Sequence, residues 1–392
     1  MSVTAAKGFR ANGIASGIKA SGEPDLSLVA TDDGAAVVAA AVFTTNLAAA
    51  APVQISRAHL QATSGHAAAV VLNSGNANAA TGDRGRATAR GTCDLVATAL
   101  GCSLDEVLVC STGLIGIPLS LDTFTAGVPA VVAGLSDSPD AAEAAAIAIM
   151  TTDTVRKESV AVASGVTVGG MAKGAAMLSP NMATMLAVVT TDAVITPEAL
   201  QRELAKAMDR SFHRLTVDGC TSTNDTVIVL ASGKADSDAT TDASIIGDLI
   251  TRVVRDLAEQ MAGDAEGATK VVRVRVVGAA SDDDAAKAAR RIAESNLCKC
   301  SWYGEDPYWG RIVSEAASAG AAFDVEKVAV SYGEIVVADG GVEIEHDKRA
   351  VAAYMQQRRL EVTVDLKLGR GEWWLLTNDL THAYVDENMG TS

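Results

Sequence analysis

Residues 169–192 join a glycine-rich segment to a continuous apolar run, and this junction constrains the fold more than any other part of the sequence. Glycines crowd the first half, a serine-proline-asparagine turn follows, and residues 185–189 are typical of a buried strand. The simplest interpretation is a loop that enters a core strand. The alternative is chemistry at the point of entry, where the Thr184 hydroxyl attacks the preceding Ala183 carbonyl and Thr184 becomes a new amino terminus.

Composition limits the class of protein. The chain of 392 residues is long enough for a core shared by two domains, and its 48% hydrophobic residues include only 4% aromatics. The longest apolar run, residues 35–43, has the length of a strand, and the amino terminus lacks a signal-peptide core. A net charge of −16 argues against nucleic acid as a partner. We therefore expect a cytoplasmic protein that binds neither nucleic acid nor a membrane.

No motif for a metal or a nucleotide is present. Among six cysteines only Cys298 and Cys300 are close in sequence, and this pair lacks the second pair that a zinc site needs. Five histidines are scattered outside any HExxH frame, and the glycine-rich phosphate-binding motifs are absent. The sequence predicts buried free thiols, no metal and no tightly bound cofactor.

Strand and helix patterns alternate irregularly along the chain. Residues 25–31 and 35–43 are predicted to form a hairpin around an Asp-Asp-Gly turn, and residues 159–168 form a second hairpin. Val272, Val274 and Val276 alternate with arginines, which predicts an antiparallel strand with one face in water. Helices are predicted over 83–100, 139–150 and 244–261, and others begin after Thr196 and Ser281. The order favours an α+β fold with layers of mixed sheet.

Three other stretches carry candidate chemistry. The loop 73–78 is rich in asparagine and either lines a pocket or is only a turn. Thr112 and Gly113 follow a short strand, where N–H groups can form an oxyanion hole, although a tight turn explains them as well. Glu266 is an isolated carboxylate within a glycine-flanked turn.

Several blocks in order resemble one family, the ornithine acetyltransferases (glutamate N-acetyltransferases) of arginine biosynthesis. The block around residues 173–186 resembles the self-cleavage signature of that family, and the others cover nearly the whole chain. They read GIKASG, NSGNANAATG, CSTGLIG, AIMTTDT, VGGMAKG, KGAAMLSPNMATML, STNDT, DAEGATK, GEDPYWGR and DLTHAYVDEN.

The resemblance implies a self-processing enzyme with an amino-terminal threonine nucleophile. The chain is then cut between Ala183 and Thr184 into an α chain of residues 1–183 and a β chain of residues 184–392, which assemble as an α2β2 heterotetramer. Acetyl passes from N2-acetyl-L-ornithine to L-glutamate through Thr184, and many members also accept acetyl-CoA as the donor. The implied fold has layers in the order αββα, with mixed and largely antiparallel sheets, as in a group of self-processing aminopeptidases.

The resemblance also assigns roles to single residues. Thr112 and Gly113 match the oxyanion hole, and Thr184 is the nucleophile. The substrate-binding positions match Thr151, Lys173, Glu266, Asn388 and Ser392, with Thr391 as the alternative to the last. The sequence departs from the family at Tyr308, at Ala80 and in a tail one residue shorter, which bears on substrate choice.

Three alternatives stay open from the sequence. A self-processing aminopeptidase or amidase would pass the acyl group to water, and a paralogue would use another acyl substrate. A binding or storage protein would keep the bond between Ala183 and Thr184 intact.

Overall fold

The structure, a computed structural model, describes residues 2–177 and 185–389. Within these residues there are sixteen strands, eleven α-helices and two short 3-10 helices, Leu104–Glu106 and Phe212–Arg214. The strands are β1 (Phe9–Ile14), β2 (Leu26–Thr31), β3 (Val37–Phe43), β4 (His66–Ala67), β5 (Ala69–Asn73), β6 (Val107–Ser111), β7 (Lys157–Ala163), β8 (Val166–Lys173), β9 (Leu186–Thr191), β10 (Thr226–Ala231), β11 (Val271–Ala279), β12 (Ala329–Tyr332), β13 (Ile335–Asp339), β14 (Val342–Glu343), β15 (Arg359–Asp365) and β16 (Gly371–Asn378). The helices are α1 (Ala51–Ala62), α2 (Gly82–Leu100), α3 (Leu121–Ala133), α4 (Pro139–Ala148), α5 (Pro197–Asp209), α6 (Ala243–Gly263), α7 (Asp282–Ala293), α8 (Asn296–Tyr303), α9 (Trp309–Ala317), α10 (Lys348–Met355) and α11 (His382–Asn388).

Helix ends follow the signals in the sequence. The hydroxyls of Ser138, Thr196 and Ser281 each accept a hydrogen bond from the backbone N–H three residues later and so begin α4, α5 and α7. Gly101 adopts a left-handed conformation with φ 76° and ends α2. The predicted positions of these helices are confirmed to within about two residues.

The described residues divide into two compact units. One contains the described parts of residues 1–213 and 220–261, and the other those of residues 214–219 and 262–391. The bond between Ala183 and Thr184, which itself lies outside the described residues, therefore falls within the range of the first unit. The two units do not coincide with the two chains that cleavage would produce.

The first unit contains two sheets. The four-stranded sheet has the order β1-β2-β5-β6, and the six-stranded sheet has the order β4-β3-β10-β9-β8-β7. Only the β5–β6 and β9–β10 pairs are parallel among these described strands, and the remaining pairs are antiparallel. The predicted α+β class with mixed, largely antiparallel sheets is confirmed.

Successive side chains along the strands of this unit face opposite layers. In β5, Val70 and Leu72 face the six-stranded sheet, whereas Val71 packs with the residues of α2 and α3. On the far side, α5 packs on β3, and α6 lies over Gly170 of β8. The order of layers is helices, sheet, sheet, helices, which agrees with the predicted αββα arrangement.

One predicted hairpin is wrong and one is correct. β2 and β3 do follow each other around Asp32-Asp33-Gly34, but β2 pairs with β1 and β5 while β3 pairs with β4 and β10. The turn therefore carries the chain from one sheet to the other, which local turn residues cannot reveal. β7 and β8 form the second hairpin around Ser164, as predicted.

The second unit is built on a six-stranded sheet with the order β14-β13-β12-β15-β11-β16. Val272, Val274 and Val276 of β11 are buried against α7, as predicted, and on the other face Arg275 is exposed while Arg273 is half-buried. The strand β11 pairs in parallel with β15 and antiparallel with β16, so the predicted antiparallel pairing is only partly correct. Cys298 is buried and Cys300 is exposed, both on the helix α8. The expectation of buried thiols is thus only partly correct.

Candidate active site

The end of β6 presents two hydrogen-bond donors. Thr112 donates its backbone N–H to the Asn73 carbonyl at 2.9 Å, so this N–H is not available for an oxyanion. Its buried hydroxyl is the remaining donor of that residue. Gly113 has φ 130°, and within the described residues its N–H has no hydrogen-bond partner. The expected pair of backbone donors is therefore one hydroxyl and one N–H.

The asparagine-rich loop 73–78 supports this pair and does not line a pocket with free amides. The side-chain amides of Asn73, Asn76 and Asn78 donate to the backbone carbonyls of Asn76, Ile117 and Gly85. The loop also forms a backbone bridge between Asn76 and Thr112. Of the two interpretations left open by the sequence, the structure favours the turn.

Lys173 ends β8 and reaches the same position from the other sheet. Its Nζ donates to the Thr151 hydroxyl at 2.7 Å and lies 3.4 Å from the Thr112 hydroxyl oxygen. The side chain of Lys173 is almost fully buried. The structure thus brings together Thr112, Gly113, Thr151 and Lys173, which are far apart in the sequence.

Asp153 holds this lysine in place. Its carboxylate accepts hydrogen bonds from Lys157 Nζ and from the Gly174 N–H, both at 2.7 Å, and lies 3.7 Å from Lys173 Nζ. Burial alone would raise the pKa of Asp153, but the positive charges of Lys173 and Lys157 hold it well below its usual range. Two buried lysines share this carboxylate, and the Nζ of one of them, Lys173, lies beside the Thr112 hydroxyl.

The strand that follows the predicted cleavage point lies in the middle of the six-stranded sheet. Leu186 at its start pairs with Lys173 of β8 and with Thr226 of β10. Ala183 and Thr184 are outside the described residues, but Thr184 precedes Leu186 by only two positions in the chain. Lys173 therefore lies opposite the first residue of this strand, which is two positions after Thr184 in the sequence.

Cys110 is the nearest thiol in sequence to the oxyanion candidates. Burial raises the pKa of Cys110 to about 12, so the thiol is protonated at neutral pH. It packs in the core between the two sheets and is not a candidate nucleophile.

Glu266 and Asn388 lie in the other unit and contact each other. Asn388 Nδ2 donates to Glu266 Oε2 at 2.7 Å and to the Tyr384 carbonyl at 2.9 Å. Glu266 is 8% exposed, so the contact fixes a largely buried carboxylate. Thr391 and Ser392 are outside the described residues.

Three residues near the candidate site were missed by sequence reasoning. Asp153, Asn224 and Asp225 all lie within blocks that resemble the family, yet no role was assigned to them. Asp153 stands four residues before Lys157, a spacing that indicates an ion pair on a helix but gave no signal here, because the segment is irregular. An acidic residue inside an otherwise neutral, polar block was the only signal.

Residues 2–177 and 185–389 provide neither a metal site nor a membrane-spanning helix. They contain no group of three or more His, Cys, Asp or Glu side chains that could hold a metal ion. None of the helices in this part of the chain combines the length and the apolar character that crossing a membrane requires.

The arrangement suits the stabilisation of a negatively charged oxygen. The Thr112 hydroxyl and the Gly113 N–H belong to adjacent residues at the end of β6, and the buried Lys173 Nζ lies beside the hydroxyl. Such preorganised donors stabilise the tetrahedral intermediate of an acyl transfer, and the loss of one donor typically costs about 100- to 1000-fold in rate.

Known proteins are similar to this chain along nearly its whole length. The sequence model of the ArgJ family matches residues 10–390. The arginine biosynthesis bifunctional protein ArgJ of Streptomyces avermitilis is 47% identical, and that of Thermobifida fusca is 48% identical; each alignment covers 100% of both chains. A crystal structure of the ornithine acetyltransferase of Mycobacterium tuberculosis complexed with ornithine is 44% identical over 46% of this chain and 94% of that chain, with a TM-score of 0.41. By the family match and by its identity to these full-length relatives, the chain belongs to the ArgJ family.

Proposed function

We propose that this member of the ArgJ family, an acyltransferase of arginine biosynthesis, carries acetyl from N2-acetyl-L-ornithine to L-glutamate on Thr184. Thr184 becomes an amino terminus when the bond to Ala183 is cut. The observation that supports this most directly is the group formed by the Thr112 hydroxyl, the Gly113 N–H and Lys173 at the start of the strand that follows Thr184. The enzyme works in the cytoplasm.

The reaction proceeds in two halves. Thr184 Oγ attacks the acetyl carbonyl of the donor, and its proton moves to the free α-amine of the same residue, whose unperturbed pKa is near 7.7 to 8.0. The Thr112 hydroxyl and the Gly113 N–H donate to the oxyanion. The intermediate then collapses, ornithine leaves with the proton, and an acetyl ester remains on Thr184. The amine of glutamate attacks this ester, and the same steps run in reverse.

Substrate recognition uses charges at the two ends of an amino acid. Lys173 and Thr151 bind the α-carboxylate, because a buried ammonium held by Asp153 is a fixed positive charge. Glu266, oriented by Asn388, binds an amino group, and the carboxyl-terminal Ser392 or Thr391 completes the contacts. Donor and acceptor both carry an α-carboxylate beside the nitrogen that loses or gains the acetyl group, so the same carboxylate contacts serve both in turn. Acetyl-CoA is a second donor, with no other cofactor, and the two chains assemble as α2β2.

The proposal is tested with the purified full-length protein. We expect two bands on a denaturing gel, with the second fragment beginning at Thr184, and acetylglutamate formed from acetylornithine and glutamate. The Thr184→Ala variant should stay uncut and inactive. The same assay with acetyl-CoA in place of acetylornithine compares the two donors.

Each alternative gives a different result. An aminopeptidase or amidase would release acetate without making acetylglutamate. A binding protein would give one intact band and no acetyl adduct on Thr184. Size-exclusion chromatography of the cut protein tests the heterotetramer, and a mass equal to one α and one β chain would contradict it.

A further inference from the structure

Residues 222–226 form a polar segment that leads into β10, next to the strand that follows Thr184. Thr226, the first residue of β10, pairs with Leu186 and donates its N–H to the Met185 carbonyl at 3.1 Å. The function proposed above gives no role to this segment. Its side chains nevertheless contact both of the elements on which that function depends.

Asn224 contacts the element that carries the oxyanion donors. Its Nδ2 donates to the Ser111 carbonyl at 2.8 Å and to the Ala77 carbonyl at 2.6 Å. Ser111 directly precedes Thr112, and Ala77 belongs to the loop that packs against Gly113. Asn224 is buried, so both hydrogen bonds are shielded from water.

Asp225 contacts Met185, the residue that directly follows Thr184 in the chain. Its Oδ1 accepts the Met185 N–H at 2.8 Å. This nitrogen forms the peptide bond with Thr184, so the carboxylate holds the backbone at the residue directly after the proposed cleavage point. The Asp225 carbonyl accepts the Thr44 N–H at 2.9 Å, which anchors the segment to the end of β3.

The other carboxyl oxygen of Asp225 is buried and has no hydrogen bond of good geometry from the described residues. Burial raises the pKa of Asp225 well above its usual range, although the Met185 N–H, the nearby Ser222 hydroxyl and the charge of Lys173 act in the opposite sense. Burying a carboxyl group with one oxygen unpartnered costs free energy, and a backbone N–H can be satisfied without that cost. This cost points to a role for Asp225 beyond its contact with the strand.

We propose that Asn224 and Asp225 are positioning residues that set the register between the nucleophile and the oxyanion hole, Asp225 through Met185 and Asn224 through Ser111. Asn224 and Asp225 are adjacent in the chain, and one binds Ser111 while the other binds Met185. A shift of Met185 relative to Ser111 would therefore break one of these hydrogen bonds. The inference rests on the proposed role of Thr184. It adds a requirement for Asp225 in both self-cleavage and acetyl transfer, because Thr184 is the attacking residue in both reactions.

The test compares Asp225→Ala and Asp225→Glu with Asp225→Asn in the full-length protein. Alanine removes the acceptor of the Met185 N–H, and glutamate displaces the carboxylate by one methylene. Asparagine keeps an oxygen acceptor at the same position. A displacement of about 1 Å at a reacting group costs on the order of 100-fold in rate. We expect Ala and Glu to slow the cleavage of fresh precursor and to lower kcat by about this factor, with KM for acetylornithine within about 3-fold. Asp225→Asn should retain most of the wild-type cleavage rate and most of the wild-type kcat.

A matched control exists at the other end of the same strand. Asp192 follows β9, is buried, and accepts the Thr167 N–H through its Oδ1 at 2.8 Å. Asp192→Ala removes the same kind of hydrogen bond far along the strand from Thr184 and should leave cleavage and kcat unchanged. Circular dichroism of each variant identifies any loss of folding. kcat is normalised to the cleaved fraction.

Wild-type cleavage and kcat in folded Asp225→Glu would overturn the inference, even if Asp225→Ala does not fold. An equal loss of kcat in Asp192→Ala would reduce Asp225 to a general support of the strand and would also overturn it. Failure of the proposed function is recognised separately, by acetyl transfer that persists in Thr184→Ala.

Discussion

Gly113 is the position at which a single methyl group should damage catalysis most directly. Its backbone has φ 130°, a conformation that residues other than glycine rarely adopt. An ideal Cβ at this position would lie 2.5 Å from the Asn76 nitrogen and closer still to the Gly75 carbonyl carbon. The obstacle is the peptide group between Gly75 and Asn76, which is backbone and cannot move aside as a flexible side chain could. The substitution Gly113→Ala must therefore move one loop away from the other.

The size of the movement follows from these distances. Ordinary van der Waals contact begins at 3.4 Å, so relief of the 2.5 Å contact requires a separation of about 1 Å. A shift of this size takes the N–H out of hydrogen-bond range of the oxyanion, and the loss of one such donor typically lowers kcat about 100- to 1000-fold. We expect Gly113→Ala to fall in this range, and to cleave its own precursor more slowly if cleavage uses the same donors.

The assay is steady-state formation of acetylglutamate from acetylornithine and glutamate. Gly116→Ala is the matched control, because Gly116 lies in the same loop with φ 82° and a Cβ there would meet no atom within 4 Å. That control should lose only about 1 kcal/mol of stability and keep its kcat. Wild-type kcat in Gly113→Ala, or equal losses in both variants, would refute the assignment of Gly113 as an oxyanion donor.

Two further predictions concern charges. Asp153→Asn leaves the buried Lys157 and Lys173 without their shared carboxylate and should cost about 3 to 5 kcal/mol of unfolding free energy, measured by denaturant titration. The pKa of Asp153 is lowered in the folded state, so its contribution to stability is present above about pH 4 and is lost as the pH falls below that value. The difference in unfolding free energy between the variant and wild type should therefore shrink in acid. Asn388→Ala removes the hydrogen bond that orients Glu266 and should raise KM for acetylornithine by about 3- to 10-fold with little change in kcat, and an unchanged KM would contradict the role of that contact.

Local signals in the sequence predicted helices and their ends well. Ser138, Thr196 and Ser281 act as caps because a capping hydrogen bond spans only three residues. The pairing of β2 and β3 was wrong for the complementary reason. Strand partners are chosen by the burial of whole faces, and the turn Asp32-Asp33-Gly34 carries no information about which sheet each strand joins.

The candidate site shows the same limit. The family resemblance supplied Thr112, Gly113 and Lys173, and the structure places these three together. It did not supply Asp153 or Asp225, whose contacts depend on side chains that meet only after folding. The backbone N–H of Thr112 was also expected to donate to an oxyanion, and its use by Asn73 could be seen only once β5 and β6 were paired.

The order of strands in the six-stranded sheet of the first unit determines how firmly the two fragments of a cut chain stay together. β4 and β3, then β8 and β7, come from before the predicted cut, and β10 and β9 between them come from after it. Once cut, the carboxyl-terminal fragment is interleaved with its own amino-terminal fragment through two hydrogen-bonded ladders. Separation would require both ladders to open at once, so fragments should not exchange between molecules in a mixed population. We therefore expect a cut enzyme to keep the fragment with which it was synthesised, and exchange of labelled fragments between mixed samples would contradict this.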